Sequence, residues 1–260
     1  MSSNTYLIKM LNKYAAKSLD GNLLEIGILK LHLQNWASNC LISIINSGSR
    51  AKGTAISIAS DVDYLISLKS DCTATNNNGL KGIYDSLYSS LLKQYKPIRK
   101  QNVSFRIKIE EIEIDITPAR KHTGNSSDHW IYVSKKDSWR QTNIQKHIND
   151  ISSSGRTNEI KLLKIWRELN GIDFPSIYLE YLTIQILNGK SKDITNLCKN
   201  FYFLLTELAK ETSNPLNNRI VDPASSTNIL SDLLTTNEKK LIIEKANASI
   251  VQKTWNNIIW

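Results

Sequence analysis

Hydrophobic and polar positions change their period partway along this chain. Apolar residues recur at helical spacing through residues 4–19 and 23–38. Two runs of strand length follow, Cys40-Leu41-Ile42-Ser43-Ile44-Ile45 and Asp61-Val62-Asp63-Tyr64-Leu65-Ile66-Ser67-Leu68, the first predicted to be buried. Ser47-Gly48-Ser49, between them, reads as a tight turn. The polar stretch 70–79, with Asn76-Asn77-Asn78, predicts a surface loop ahead of a helix over 80–95. Residues 103–109 and 111–117 predict a hairpin, and 119–140 a long connection with one short strand near 130–134. From Asn143 onward the period is helical, with breaks at 152–155, 171–175, Gly189 and 213–228. The pattern predicts an α+β chain in two parts. Residues 1–140 form a core with a mixed or antiparallel sheet and the N-terminal helices, residues 141–260 form a C-terminal helical lobe, and the active site lies in the cleft between them.

Alternation puts Asp61 and Asp63 on one strand face. Two close carboxylates repel unless a positive charge lies between them, and a hard divalent cation with oxygen ligands, Mg²⁺ or Mn²⁺, answers that need. In Glu111-Ile112-Glu113-Ile114-Asp115-Ile116-Thr117-Pro118 the acids share one face and the isoleucines the other. Were this strand beside the first, Asp115 would complete a three-carboxylate cage for two ions roughly 4 Å apart. Gly48 and Ser49 supply a turn suited to holding phosphate. Taken singly, each piece also fits a solvated strand face.

In order along the chain, Gly48-Ser49-Arg50-Ala51-Lys52-Gly53-Thr54-Ala55-Ile56, Ser60-Asp61-Val62-Asp63 and Ile114-Asp115-Ile116-Thr117-Pro118-Ala119-Arg120 resemble the polymerase-β-type nucleotidyltransferases. The Gly53-Thr54 and Pro118-Ala119 steps are most similar to the branch holding 2′-5′-oligoadenylate synthetase, cGAS and the bacterial cGAS/DncV-like enzymes (CD-NTases). Leu162-Leu163-Lys164-Ile165-Trp166 with Pro175-Ser176-Ile177-Tyr178-Leu179-Glu180, and Asp222-Pro223 with Asn228, resemble that branch's helical segments. The resemblance implies a nucleotidyltransferase core and a nucleotide-binding helical lobe. It implies catalytic and metal roles for Asp61, Asp63 and Asp115, and donor-triphosphate contacts by Lys164 and Ser176. Its expected reaction joins nucleoside triphosphates into cyclic or linear oligonucleotide messengers, released with pyrophosphate, in antiviral (anti-phage) defence, with an effector protein sensing the product. Ile177 departs from the aromatic residue that often follows the serine position, which leaves the source of base stacking open. A transferase that adds nucleotides to RNA or tRNA, or a non-catalytic nucleotide- or RNA-binding module, are the alternatives.

Composition narrows the partners. A net charge of +9 suits both triphosphates and a nucleic-acid surface, so RNA or DNA stands as a candidate activator or acceptor. Trp130, Tyr132 and Trp139, interleaved with Arg120, Lys121, Lys135, Lys136 and Arg140, suit base stacking or a packed core equally. No apolar run approaches the roughly 20 residues that span a bilayer, and no signal-peptide pattern opens the chain, so the expectation is a cytoplasmic protein with no membrane partner. Cys40, Cys72 and Cys198 are far apart without Cys-X-X-Cys spacing, and suggest neither a disulfide framework nor a zinc site. The four histidines are scattered and receive no role.

Overall fold

The computed structural model describes residues 3–59, 61–72, 79–124 and 126–260. Ser60 and the Asn76-Asn77-Asn78 loop lie outside the described residues. In chain order the elements are α1 (Ser3–Lys13), α2 (Leu23–Ala37), β1 (Leu41–Ser47), α3 (Gly48–Ala51), β2 (Val62–Leu68), α4 (Gly79–Leu91), β3 (Arg99–Lys100), β4 (Phe105–Ile109), β5 (Ile112–Lys121), β6 (His129–Val133) and β7 (Ser138–Thr142). The helical part follows with α5 (Ile144–Ser152), α6 (Thr157–Leu169), α7 (Ser176–Ile186), α8 (Leu197–Leu208), the short hairpin β8 (Val221–Asp222) and β9 (Ser225–Ile229), and α9 (Thr236–Ile250).

Contacts divide the chain into two compact units: Met1–Ala16, Gly53–Ser60 and Asn149–Trp260 in one, Lys17–Lys52 and Asp61–Ile148 in the other. This differs from a division at residue 140. Helix α1 belongs with the helical unit because Leu7, Met10 and Tyr14 are buried in its core. The Tyr6 hydroxyl donates to the Ile259 carbonyl at 2.8 Å, and the Tyr14 hydroxyl to that of Trp260. The segment after Gly53 joins the same unit through Ile56, in the same core.

In the sheet unit, strand order is β1-β2-β5-β4-β3, with β6 paired to the later half of β5 and β7 to β6. Strands β2 and β5 are parallel, and the other named pairs of this sheet are antiparallel, so the sheet is mixed. One face carries Val62, Tyr64, Ile66, Ile114 and Ile116, packed with Leu29 and Leu33 of α2 and Ile83 and Leu87 of α4. On the opposite face Leu65, Ala119 and Ile131 make a smaller cluster, and the acidic side chains share that side.

Three expectations change. Strand β1 is mostly half-buried, because it lies at the sheet edge, where β2 is its one strand neighbour among the described residues. The 119–140 connection is instead the end of β5 and the β6–β7 hairpin; Pro118 falls between Ile116, the last β5 residue paired to β4, and Ala119, the first paired to β6, a position a strand tolerates. Cys40 and Cys72 form a disulfide, their Cα atoms 5.5 Å apart. The antiparallel register that pairs Leu41 with Leu68 brings these distant positions together, which spacing alone does not reveal. No helix among the described residues is long and apolar enough to cross a membrane.

Candidate active site

Strand register assembles the acids. The parallel β2–β5 ladder sets Asp63 beside Asp115, the β1–β2 ladder sets Ser47 beside Asp63, and the β4–β5 ladder sets Arg106 beside Asp115. Ser47, Asp63, Asp115 and Arg106 therefore stand at one level across four adjacent strands, on one face. Asp61 lies just before β2 and reaches the same cluster through Arg106.

Ser47-Gly48-Ser49 is the entrance to a single helical turn, α3, in place of a simple reversal. Gly48 has φ +64°, and a Cβ there would lie 1.8 Å from Oδ2 of Asp63. The backbone of the turn is thus pressed against the carboxylate, an approach that only glycine permits. Gly53, with φ +70°, turns the chain out of α3.

Arg106 is the positive group that charge pairing demands. Its Nε donates to Oδ1 of Asp115 at 2.7 Å and Nη2 to Oδ2 at 2.8 Å, a two-pronged contact. Nη1 donates to Glu113 at 2.6 Å, and Nη2 also reaches Asp61. Gln101 adds a donor to Asp115 at 3.0 Å. The Asp61 side chain is 33% exposed and that of Asp115 12%. Loss of water pushes the Asp63 carboxyl up to about 7, with Asp115 and Asp61 adding repulsion and Lys52 and Arg106 opposing it. Asp61 is raised by desolvation in the same sense, partly offset by Arg106. The hydrogen bonds to Asp115 hold the Arg106 guanidinium more firmly protonated still.

Asp63 and Asp115 at one level, with Asp61 joined to them through Arg106 and two of the three carboxyls held above their ordinary range, make a donor set of the kind a hard divalent cation takes. Among the described residues no group of three or more His, Cys, Asp or Glu side chains stands as a ready cage. In this conformation the guanidinium takes oxygens of both Asp61 and Asp115.

The two residues assigned to donor triphosphate lie in the helical unit. Lys164 is not an exposed ammonium: its side chain is 2% exposed, and Nζ donates to Glu180 Oε1 at 2.7 Å and to Thr54 Oγ1 at 3.0 Å. The Thr54 hydroxyl donates to the same Glu180 oxygen at 2.7 Å. Glu180 and Thr54 are fully buried. The triad ties the segment after Gly53 to α6 and α7. Ser176 is the first residue of α7, with Pro175 at the cap position, and its hydroxyl accepts from Arg167 Nη1 at 2.9 Å. Asp222, in turn, receives the Ala224 amide at 2.9 Å and the Asn228 side chain at 3.1 Å, so the Asp-Pro…Asn segment locks the β8–β9 turn.

The sequence by itself assigns no role to Arg106, Thr54 or Glu180, although the last two stand in the segments that carry the resemblance. Hairpin register does carry the signal for Arg106: Ile109 pairs with Ile112 across a two-residue turn, and three steps back along each strand Arg106 meets Asp115. Nothing local marks Glu180 as the partner of Lys164, since 16 residues and a helix break separate them.

The mixed sheet with a parallel strand pair, joined to a helical unit, agrees with the nucleotidyltransferase fold that the resemblance implies, and the family match settles the class. The chain belongs to the Second Messenger Oligonucleotide or Dinucleotide Synthetase (SMODS) domain family, which it matches over residues 24–154. A curated relative, the cyclic AMP-AMP-AMP synthase of Escherichia coli (strain MS 115-1), is 24% identical over 254 aligned residues, covering 84% of this chain and 78% of its own. E. coli MS115-1 CdnC, solved with ATP, is similar with a TM-score of 0.71 at 21% identity, over 98% of this chain and 94% of that one. The CD-NTase CdnG of Bradyrhizobium diazoefficiens, solved with GTP, gives 0.73 at 10% identity, over 95% and 91%. At such identities structural likeness shows the fold, and the family match carries the activity: this is a nucleotidyltransferase of the class that makes oligonucleotide second messengers.

Proposed function

We propose that the protein condenses nucleoside triphosphates into a short oligonucleotide messenger at the Asp61, Asp63 and Asp115 cluster, in antiviral (anti-phage) defence. The observation that carries this reading is the pairing of Asp63 with Asp115 across parallel strands, with the Gly48 backbone packed on Asp63. Asp61, Asp63 and Asp115 would hold Mg²⁺ or Mn²⁺. Bound there, the metal would lower the pKa of an acceptor ribose hydroxyl and neutralise charge on the departing pyrophosphate. Gly48 and Ser49 hold the β- and γ-phosphates of the donor, at the start of α3. Lys52, close enough to Asp63 to favour its ionised form, adds positive potential. Ser176 serves phosphate within the helical unit, its hydroxyl oriented by Arg167. Lys164 acts through Thr54 and Glu180, as a positioning residue that fixes the segment following the phosphate turn. Positioning and charge neutralisation supply the rate, with no covalent intermediate.

Purified protein with Mg²⁺ and mixed nucleoside triphosphates should release pyrophosphate and accumulate short oligonucleotides without a polynucleotide acceptor. Phosphatase-resistant species identify a ring, and a phosphatase-sensitive ladder identifies linear growth. The same incubation with double-stranded RNA, DNA or tRNA tests for an activator. Label found on added RNA alone would replace the messenger reading with RNA tailing.

A further inference from the structure

Side chains alternate along β5, so Arg120 points to the face opposite Asp115. On that face the register sets Arg120 beside Trp130 of β6, and Tyr132 beside Trp139 of β7. With Lys81 of α4 and Asp137 of the β6–β7 turn, these four residues line a cavity of about 520 Å³. That is within the roughly 300–1,000 Å³ of small-molecule sites. Nucleotidyl transfer at the acid cluster makes no use of it.

The groups around it are unspent. Trp139 is 66% exposed, a large apolar surface left in water. Arg120, half-buried, has no hydrogen-bond or ion-pair partner among the described residues, and the indole N–H groups of Trp130 and Trp139 have none either. The ring of Trp130 is backed by His122, 5.5 Å between centroids. One oxygen of Asp137 receives the Tyr132 hydroxyl, leaving Oδ2 as a free acceptor among the described residues. Lys81 is held by Asp85 at 2.6 Å, so the positive charge left unpaired in the cavity is that of Arg120.

We propose that this cavity is a second, non-catalytic nucleotide site. The base lies against Trp130 and Trp139, its exocyclic amine donates to Asp137, and its phosphate pairs with Arg120. Stacking of a base on an aromatic side chain contributes roughly 1–3 kcal/mol, and a guanidinium suits phosphate through its paired donors. The assignment stands apart from the catalytic reading, because it concerns binding on the other face of the sheet. A free mononucleotide and a nucleotide unit of a short oligonucleotide offer the same chemistry.

The test measures binding of AMP, UMP and a 5′-phosphorylated adenylate dinucleotide to the full chain, by equilibrium dialysis and by quenching of tryptophan emission. AMP or the dinucleotide should bind, with Arg120→Gln and Trp139→Ala each weakening the interaction at least tenfold and Ser49→Ala leaving it unchanged. UMP, which lacks the exocyclic amine, should bind several-fold more weakly than AMP. Binding of AMP would identify the free mononucleotide as a ligand, and binding of the dinucleotide alone would identify the oligonucleotide. Because the Trp139 ring is exposed, its replacement keeps the fold even should Arg120→Gln disturb it; unchanged melting of Trp139→Ala checks this. The proposal is overturned if neither AMP nor the dinucleotide binds, if their binding survives Trp139→Ala, or if only RNA strands longer than about ten nucleotides are retained.

Discussion

Asp63 shows how burial and repulsion set the behaviour of a single carboxyl. Its native pKa, about 7, lies above the roughly 3.9 of an unfolded aspartate, so between these values the folded chain holds a proton that the unfolded chain has lost. The sign follows: metal-free stability should fall as pH rises through that window, the reverse of a salt-bridged aspartate, by at most about 4 kcal/mol. Asp63→Asn should flatten the dependence and raise the metal-free melting temperature above neutral pH, while abolishing pyrophosphate release. Melting curves at pH 5 and 8 in chelator, paired with turnover in Mg²⁺ and Mn²⁺, check both halves; retained turnover would remove Asp63 from the metal set. Arg106 predicts the complementary result. Arg106→Gln leaves Asp61, Glu113 and Asp115 without their shared cation, so the metal-free protein should melt several degrees lower and added Mg²⁺ should stabilise it more than the wild type. Equal Mg²⁺-induced shifts in the two proteins would show that Arg106 does not compete with metal for these oxygens.

At the scale of elements, the buried triad of Thr54, Lys164 and Glu180 decides how firmly the segment after the phosphate turn is held on α6 and α7. Removing one member of a buried ion pair leaves the other charge without compensation, at a cost of about 3–5 kcal/mol. Lys164→Ala should therefore lose stability first, with binding of all nucleoside triphosphates weakened alike as a consequence. The double replacement Lys164→Met with Glu180→Leu should recover much of that stability, because both buried charges are gone. Denaturant titration of the single and double variants checks this. A Lys164→Ala protein that melts like the wild type yet binds triphosphate poorly would restore a direct phosphate contact.

Across the whole molecule, the two compact units are discontinuous in sequence. The sheet unit holds the acids, the glycine turn and Arg106; the helical unit holds α1, the segment after Gly53 and the helices from residue 149 onward. A boundary placed between strand-rich and helix-rich sequence misses this, because α1 is chosen by its partners. Trp166, whose Nε1 donates to Ser249 at 2.8 Å, and the neighbouring Leu162 and Leu163 belong to the same core as Leu7 and Met10. That choice rests on apolar burial between residues more than 150 positions apart, which local period does not encode.

The sequence by itself determined much of the site's inventory. Period-two alternation placed Asp61 with Asp63 and Glu113 with Asp115, and most helices from residue 143 onward followed from apolar spacing. Those signals are local: they depend on side-chain direction along one element. Tertiary structure alone decided that β2 and β5 are parallel neighbours in the register that joins Asp63 to Asp115, that Arg106 fills the space among the acids, and that Lys164 is buried on Glu180. It also decided the Cys40–Cys72 bond and the continuation of sheet through residues 119–140. Each of these depends on which surfaces remain to be buried once the elements exist, and on where a charge taken out of water finds its partner.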